Sequence, residues 1–89
     1  MKFEWDENKN RKNIRKHGID FNDAKEVFKD EKRVSFEDDR KDYGETRWST
    51  IGAILGFVVF VVYTIRDTAI RIISARKANK REKDKYFNQ

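Results

Sequence analysis

Residues 47–77, RWSTIGAILGFVVFVVYTIRDTAIRIISARK, decide the fold of this chain. Arg47–Ile54 alternates between polar and apolar residues, as a half-buried strand does. Phe57–Ile65 is apolar at successive positions, which is typical of a central strand covered on both faces. Ala69–Lys77 is apolar and β-branched at strand spacing, and short turns separate the three segments. The stretch therefore predicts three consecutive antiparallel strands joined by hairpins.

The same stretch contains the only membrane-span candidate, the uncharged run Ile51–Ile65 of 15 residues. A helix of that length spans about 22 Å, short of the roughly 30 Å apolar core of a bilayer. Its two glycines and its many β-branched residues favour two strands instead. The N-terminus, MKFEWDENK, is charged from the second residue and does not resemble a signal peptide. We therefore expect a soluble, cytoplasmic protein.

The residues before position 47 predict a short strand, two helices, a further strand and a polar loop. In chain order these elements cover residues 3–5, 6–16, 22–29, 33–37 and 38–45. Asp6 and Asn22 are the expected N-caps, and Gly18 is the expected C-cap of the first helix. A C-terminal helix over residues 78–86 follows the last strand.

This element order predicts an α+β fold in one small domain of residues 1–89. Because hairpins link most of the strands, we expect an antiparallel sheet. The two N-terminal helices are expected to cover one face of the sheet. The opposite face is then partly open, with the C-terminal helix near its rim. An open sheet face beside basic residues is a plausible ligand surface.

The composition excludes thiol chemistry and argues against bound metal. The chain has no cysteine, so disulfides and thiolate metal sites are impossible, and His17 is its single histidine. We therefore predict no metal and no other cofactor. Charge is unevenly spread: residues 66–85 hold eight basic and three acidic side chains, whereas residues 18–45 hold six and ten. This asymmetry predicts two different surfaces, and possibly two partners.

The basic part of the chain continues directly from the last strand, in the segment Ile70–Tyr86. A buried strand that runs into an uninterrupted basic segment fixes positive charges at a sheet edge. Fixed charges of this kind suit a polyanion, and RNA is the first candidate. The same pattern is also typical of a solvated helix face, and the residues alone leave both interpretations open.

An ordered set of short motifs runs through nearly the whole chain. The motifs are FEWD at Phe3–Asp6, KHGI at Lys16–Ile19, RW at Arg47–Trp48, VYT at Val62–Thr64 and IRIISARKA at Ile70–Ala78. With Arg81, Glu82 and Tyr86, this set resembles the BrnT-type toxins, the ribonuclease half of BrnT/BrnA toxin–antitoxin pairs. Residues 29–46 are the variable part of the resemblance.

The resemblance implies a RelE/ParE-like fold and metal-independent cleavage of RNA, with inhibition of translation. It also implies neutralisation by a small antitoxin of BrnA type that carries a ribbon-helix-helix DNA-binding element. Two alternatives remain beside it. One is a non-catalytic module that binds RNA or an antitoxin, and the other is a toxin of the same fold that acts on a different target.

Metal-free RNA cleavage needs a base, an acid and cations that stabilise the developing charge on the phosphate. The catalytic candidates are Arg66, Arg76, Arg47, Tyr86, Glu45 and His17. The nucleic-acid-binding candidates are Lys77, Lys80 and Arg81. Arginine suits phosphate because its planar fork can bind two oxygens at once.

Each catalytic candidate also has a structural interpretation. Arg66 and Arg76 end two strands and could converge on one phosphate, or they could bridge to Asp67 or Glu82. Arg47 could bind phosphate or stack on an aromatic ring.

The proton-transfer roles stay open as well. His17 is the one side chain that normally titrates near neutrality, yet it precedes Gly18 at a helix C-terminus, where the helix dipole favours an imidazolium. Tyr86 could stack on a base, donate a proton or pack the C-terminal helix. Glu45 is a possible general base in the loop before Arg47.

Overall fold

The computed structural model describes residues 1–39 and 44–89, and its centre is a sheet of five strands. The strands are β1 (Lys2–Glu4), β2 (Val34–Asp38), β3 (Arg47–Ile54), β4 (Phe57–Arg66) and β5 (Ala69–Lys77). Their order across the sheet is β1-β5-β4-β3-β2. The three hairpin-linked strands predicted from residues 47–77 are confirmed, and the run Ile51–Ile65 lies in β3, β4 and the turn between them.

The prediction of a purely antiparallel sheet is wrong for β1. The strands β2 to β5 pair antiparallel, but β1 pairs parallel with β5, with Phe3 beside Ile70. Hairpin turns fix the direction of strands that are neighbours in sequence. The partner of β1 is instead a strand that begins more than 60 residues later in the chain. The alternation in Phe3–Trp5 does not indicate the direction of that distant strand.

Three α-helices accompany the sheet in the described ranges. They are α1 (Glu7–His17), α2 (Phe21–Ala24), which continues into a 3-10 helix (Lys25–Lys29), and α3 (Lys80–Phe87). The Asp6 cap of α1 and its Gly18 C-cap, at φ 71°, are confirmed. The N-cap of α2 is Asp20 and not Asn22, since the Asp20 carboxylate accepts a hydrogen bond from the Asn22 backbone at 2.9 Å.

The two faces of the sheet carry separate apolar clusters. On one face, Phe21, Ala24 and Val27 from α2 and the 3-10 helix pack against the central strands. On the other face, Ala78 and Tyr86 pack over an apolar patch of the sheet. That patch consists of Ile51, Val58, Phe60 and Val62. We call this second side the α3 face.

β1 pairs only with the first residues of β5, and a side chain of α1 covers the backbone edge of β5 farther along, at Ala75. The Asn13 amide donates to the Ala75 carbonyl at 2.8 Å, and its oxygen accepts from the Ala75 backbone N–H at 3.1 Å. Asn13 therefore pairs with β5 as a neighbouring strand would. Its amide also donates to the Ile19 carbonyl at 2.9 Å, which fixes the chain after α1. Closing an open strand edge in this way prevents pairing with other chains.

Two differences concern element ends. β2 continues through Asp38, and the rest of the loop predicted over residues 38–45 falls partly on residues 40–43, which lie outside the described residues. α3 begins at Lys80 rather than at residue 78, because Asn79 and Glu82 form a capping box. The RelE/ParE-like fold and the extent of one domain over residues 1–89 stay predictions. None of the helices in the described ranges is long and apolar enough to cross a membrane.

Candidate functional site

Arg47 and Arg66 lie at one end of the sheet and share a carboxylate. Arg66 Nη2 donates to Glu45 Oε1 at 3.1 Å, and Arg47 Nε lies 3.7 Å from Glu45 Oε2. The Arg66 side chain is 52% exposed, whereas those of Arg47 and Glu45 are 22% and 27% exposed. We call these three residues the Glu45 cluster. It brings together three of the residues that the sequence proposed for catalysis.

Arg71 extends this group of cations across the sheet. Arg47 is opposite Thr64 on β4, and Thr64 is opposite Arg71 on β5, so the three side chains share the α3 face at one level. With strands about 4.8 Å apart, the backbones of Arg47 and Arg71 are roughly 10 Å apart. Arg71 Nη1 donates to Glu4 Oε2 at 2.8 Å. Arg71 was not predicted from the sequence, because only its pairing with Thr64 on β4 shows that it lies at the same level as Arg47.

Arg76 lies towards the opposite end of the sheet and anchors α3. Its Nη1 and Nη2 atoms each donate to one oxygen of Glu82 at 2.8 Å. Its guanidinium lies 4.3 Å from the centre of the Phe60 ring. Because Glu82 also accepts from the Asn79 backbone at 2.9 Å, the bidentate pair ties the first turn of α3 to β5.

Arg66 and Arg76 do not converge. Arg76 is opposite Phe60, six residues before Arg66 on β4, which is about 20 Å along the strand. Each arginine is held by its own glutamate, and the partner of Arg66 is Glu45 rather than Asp67. Consecutive antiparallel strands end at opposite ends of a sheet, so two arginines at their carboxyl ends are separated. The expectation that both contact one phosphate is therefore wrong.

His17 is the last residue of α1 and lines a basic cleft between α1 and β5. The cleft is lined by Lys9, Lys12, Asn13, Lys16, His17, Ile73 and Ser74. The pKa of His17 lies below its ordinary value, first because of burial and then because of the positive charges of Lys16 and Arg76. These effects favour the neutral imidazole over the imidazolium that the helix dipole alone would favour. The row of lysines on α1 was not singled out in the sequence.

The three nucleic-acid-binding candidates lie around the start of α3. Lys77 is exposed at the end of β5, with its Nζ 5.4 Å from the centre of the Phe57 ring. Lys80 and Arg81 are both exposed in the first turn of α3. Arg81 borders a cavity on the α3 face. These positions suit contacts with an RNA backbone.

That cavity has a volume of about 230 Å³ and opens between α3 and the sheet. Ser49, Ile51 and Phe60 from the sheet line it, with Phe36 at its side. Its remaining lining is charged: Glu37, Asp38, Asp39, Arg81, Glu82 and Lys85. Ser49 was not among the residues that the sequence proposed.

Tyr86 ties α3 to the turn before β2. Its hydroxyl donates to Asp30 Oδ2 at 2.5 Å, and the same oxygen accepts from the Ala53 backbone at 2.8 Å. The hydrogen bond, burial and the charge of Asp30 raise the pKa of Tyr86 to about 12. The Tyr86 hydroxyl therefore donates its proton in a hydrogen bond to Asp30. This arrangement suits a packing role for Tyr86 better than proton donation to a substrate.

This contact predicts a loss of stability at alkaline pH. Because the pKa of Tyr86 is about 12 in the folded protein, against an ordinary value of about 10, its stabilising effect is complete below pH 10 and disappears towards pH 12. We expect Tyr86→Phe to cost about 1–2 kcal/mol at pH 8 and clearly less at pH 11. Chemical denaturation of both proteins at the two pH values tests this. An equal difference at both values would show that the hydroxyl does not titrate with folding.

Within the described residues, no three histidine, cysteine, aspartate or glutamate side chains form a group that could hold a metal ion. Comparison with known families gives one assignment. A family model described as "Ribonuclease toxin, BrnT, of type II toxin-antitoxin system" matches residues 5–82. The match includes the Glu45 cluster and the Arg76–Glu82 pair. No curated protein matches the chain.

Proposed function

The chain belongs to the BrnT family of ribonuclease toxins of type II toxin–antitoxin systems, and we propose that it cleaves RNA at the Glu45 cluster without a metal ion. Membership of this family implies an RNA substrate and an antitoxin protein as partner. The position of the reaction on the fold, its independence of metal and the type of antitoxin are parts of the proposal. Its setting is the cytoplasm, where such a toxin meets RNA.

One observation carries the proposal: the Glu45 carboxylate lies between two arginines on the α3 face. The same two guanidinium groups that hold a carboxylate have the geometry to hold a phosphate. Arg66 makes this possible because half of its side chain faces solvent. The Glu45 cluster thus supplies a possible base and two cations, which are three of the groups that metal-free RNA cleavage needs.

In the proposed reaction, Glu45 accepts the proton of a ribose 2′-hydroxyl. The 2′-oxygen then forms a bond to the adjacent phosphorus, and the bond from phosphorus to the 5′-oxygen breaks. The leaving oxygen takes up a proton from water, and the products are a 2′,3′-cyclic phosphate and a 5′-hydroxyl. Arg47 and Arg66 stabilise the extra negative charge on the phosphate oxygens as it develops.

The second cationic region holds the strand rather than cleaving it. Lys77, Lys80 and Arg81 lie near the Arg76 end of the sheet, about 20 Å along β4 from the Glu45 cluster. An RNA strand lying along the α3 face would contact both regions. We further propose that a BrnA-type antitoxin with a ribbon-helix-helix element covers this face, which would stop both RNA cleavage and the resulting inhibition of translation.

The test is cleavage of a defined RNA by purified protein in EDTA. We expect fragments that end in a 2′,3′-cyclic phosphate and begin with a 5′-hydroxyl, as mass spectrometry would show. Glu45→Gln keeps the size and the polarity of the side chain but removes the base, and should lower the rate about 100-fold or more. Cleavage that appears only after Mg²⁺ is added would contradict metal independence. RNA that is bound but left intact would favour the non-catalytic alternative.

A further inference from the structure

Ser49 is a buried polar side chain for which the described part of the chain offers no hydrogen-bond partner. The residue has 0% exposure, and among the described residues its Oγ makes no hydrogen bond. The hydroxyl groups beside it are satisfied: Thr50 Oγ1 accepts from Ser35 Oγ at 2.9 Å, and Thr64 Oγ1 donates to the Thr46 carbonyl at 2.7 Å. A buried hydroxyl left unpaired is destabilising, and such groups are rare in folded proteins. The position of Ser49 therefore calls for an explanation.

The cavity that Ser49 lines has the size and the lining of a site for one planar ring. Its volume of about 230 Å³ is below the roughly 300–1,000 Å³ of pockets for drug-sized ligands. Phe36 offers an aromatic surface at its side; among the described residues its ring contacts Lys85 Nζ at 4.8 Å and the Phe60 ring at a centroid distance of 6.3 Å. Phe60 is less available because Arg76 already stacks on it.

The charges around the cavity favour a base over a phosphate. Asp38 and Asp39 line one side of it, and their carboxylates would repel a phosphate. They would accept hydrogen bonds from the amino group of a nucleobase. Arg81 and Lys85 lie on the opposite side, on α3, where they can contact the backbone of the same nucleotide.

The cavity also lies beside the proposed site of cleavage. Ser49 follows Arg47 by two positions on β3, so both side chains lie on the α3 face, about 7 Å apart along the strand. A strand whose phosphate is held at the Glu45 cluster would bring a neighbouring base to this cavity. Proteins read single-stranded RNA in this manner, by stacking splayed bases on aromatic rings and bonding their edges.

We propose that this cavity binds one unpaired RNA base that carries an exocyclic amino group, and so sets the sequence preference of cleavage. The base stacks on Phe36 in the place of Lys85, whose flexible side chain moves to the RNA backbone. Ser49 Oγ bonds the edge of the base once the wall of the cavity opens. The inference rests on the proposed function, since it assumes that an RNA strand lies on the α3 face.

The experiment separates base recognition from cleavage. The probes are short RNAs with a 2′-O-methyl group at the cleaved position, which blocks attack, and with adenine, guanine, cytosine or uracil beside it. Binding is measured by fluorescence anisotropy. We expect the wild type to bind its preferred amino-bearing base at least tenfold more tightly than uracil. Ser49→Ala should reduce that ratio at least fivefold and melt no lower than the wild type, because it removes an unsatisfied hydroxyl.

Two further variants keep the test decisive. Phe36→Leu retains apolar volume but removes the stacking surface, and should weaken binding of every base about fivefold or more. Ser35→Ala is the matched control, since Ser35 lies on the same sheet but on the other face, and should leave the ratio unchanged. A wild type without base preference, or an unchanged ratio in Ser49→Ala, would overturn the inference even if RNA is cleaved. If Ser49→Ala weakened binding of the antitoxin but left the binding of all four RNAs unchanged, the cavity would be assigned to the antitoxin instead.

Discussion

The variant Asn13→Ala is expected to unfold roughly 10–30 °C below the wild type. Asn13 is buried, and its side-chain amide makes three hydrogen bonds, two to the Ala75 backbone and one to the Ile19 carbonyl. Alanine leaves these backbone groups buried without partners, at a cost of about 2–4 kcal/mol. Each kcal/mol lowers the melting temperature of a domain this small by about 4–8 °C.

Thermal denaturation followed by circular dichroism provides the measurement, with Lys12→Ala as the control. Lys12 is the preceding residue of α1 but is exposed, so its loss should change the melting temperature by no more than a few degrees. Asn13→Asp retains the acceptor for the Ala75 N–H but loses both donated bonds, and should also be destabilised. If Asn13→Ala melts within about 3 °C of the wild type, the side chain does not close the β5 edge.

The elements predicted correctly from the sequence are those that depend on residues close to them in the chain. The alternation and the apolar run of residues 47–77 defined β3, β4 and β5 because each strand is paired with its neighbour in the chain. The capping of α1 by Asp6 and Gly18 was equally local. The direction of β1 was not predictable, since its partner lies more than 60 residues away.

Asn22 was predicted as the N-cap of α2, but Asp20 occupies that position because it is the better of two suitable capping residues. Asp20 and Asn22 both have side chains that commonly begin helices. Asp20 prevails because its carboxylate also accepts a hydrogen bond from the Asn10 side chain of α1 at 3.0 Å, and Asn10 in turn accepts from the Phe21 backbone at 2.9 Å. This tertiary contact between α1 and the start of α2 is not visible in a pattern of single residues.

The candidate site was partly predictable for the same reason. Arg47 and Arg66 were proposed from their chemistry and their positions at strand ends, and Glu45 as a possible base in the loop before Arg47; the structure brings the three together. Arg71 requires the register of β4 and β5, and the lack of a partner for Ser49 depends on everything that packs around it. The separation of Arg66 from Arg76, by contrast, already follows from two consecutive antiparallel strands.

The separation of Arg66 from Arg76 predicts different effects when each is replaced by alanine. If Arg66 and Arg76 both contacted the reacting phosphate, alanine at either position would lower the rate of cleavage about 100-fold, by analogy with a lost oxyanion-hole donor. Because the two arginines do not converge, the reacting phosphate is stabilised directly by only one of them. We place it at the Glu45 cluster, where Arg66 is the more exposed partner and, within the described ranges, pairs with Glu45 alone. Arg76 is engaged with Glu82 and Phe60.

Arg66→Ala is therefore expected to lower the rate of cleavage about 100-fold or more without unfolding the protein. An exposed ion pair contributes at most about 1 kcal/mol, so its melting temperature should fall by only a few degrees. Arg66→Lys should recover part of the rate, because lysine restores the charge but not the planar fork.

Arg76→Ala is expected to act through stability instead. It removes a bidentate pair to a glutamate that is only 14% exposed, together with the contact on Phe60, at a cost of about 2–3 kcal/mol. At a temperature where the variant is folded, its maximal rate should fall less than tenfold, while RNA binding weakens because α3 is less well fixed. Single-turnover rates on one RNA at saturating protein, with a melt of each variant, separate the two effects. A 100-fold loss in Arg76→Ala with an unchanged melt, beside full activity in Arg66→Ala, would place the reacting phosphate at the α3 end of the sheet.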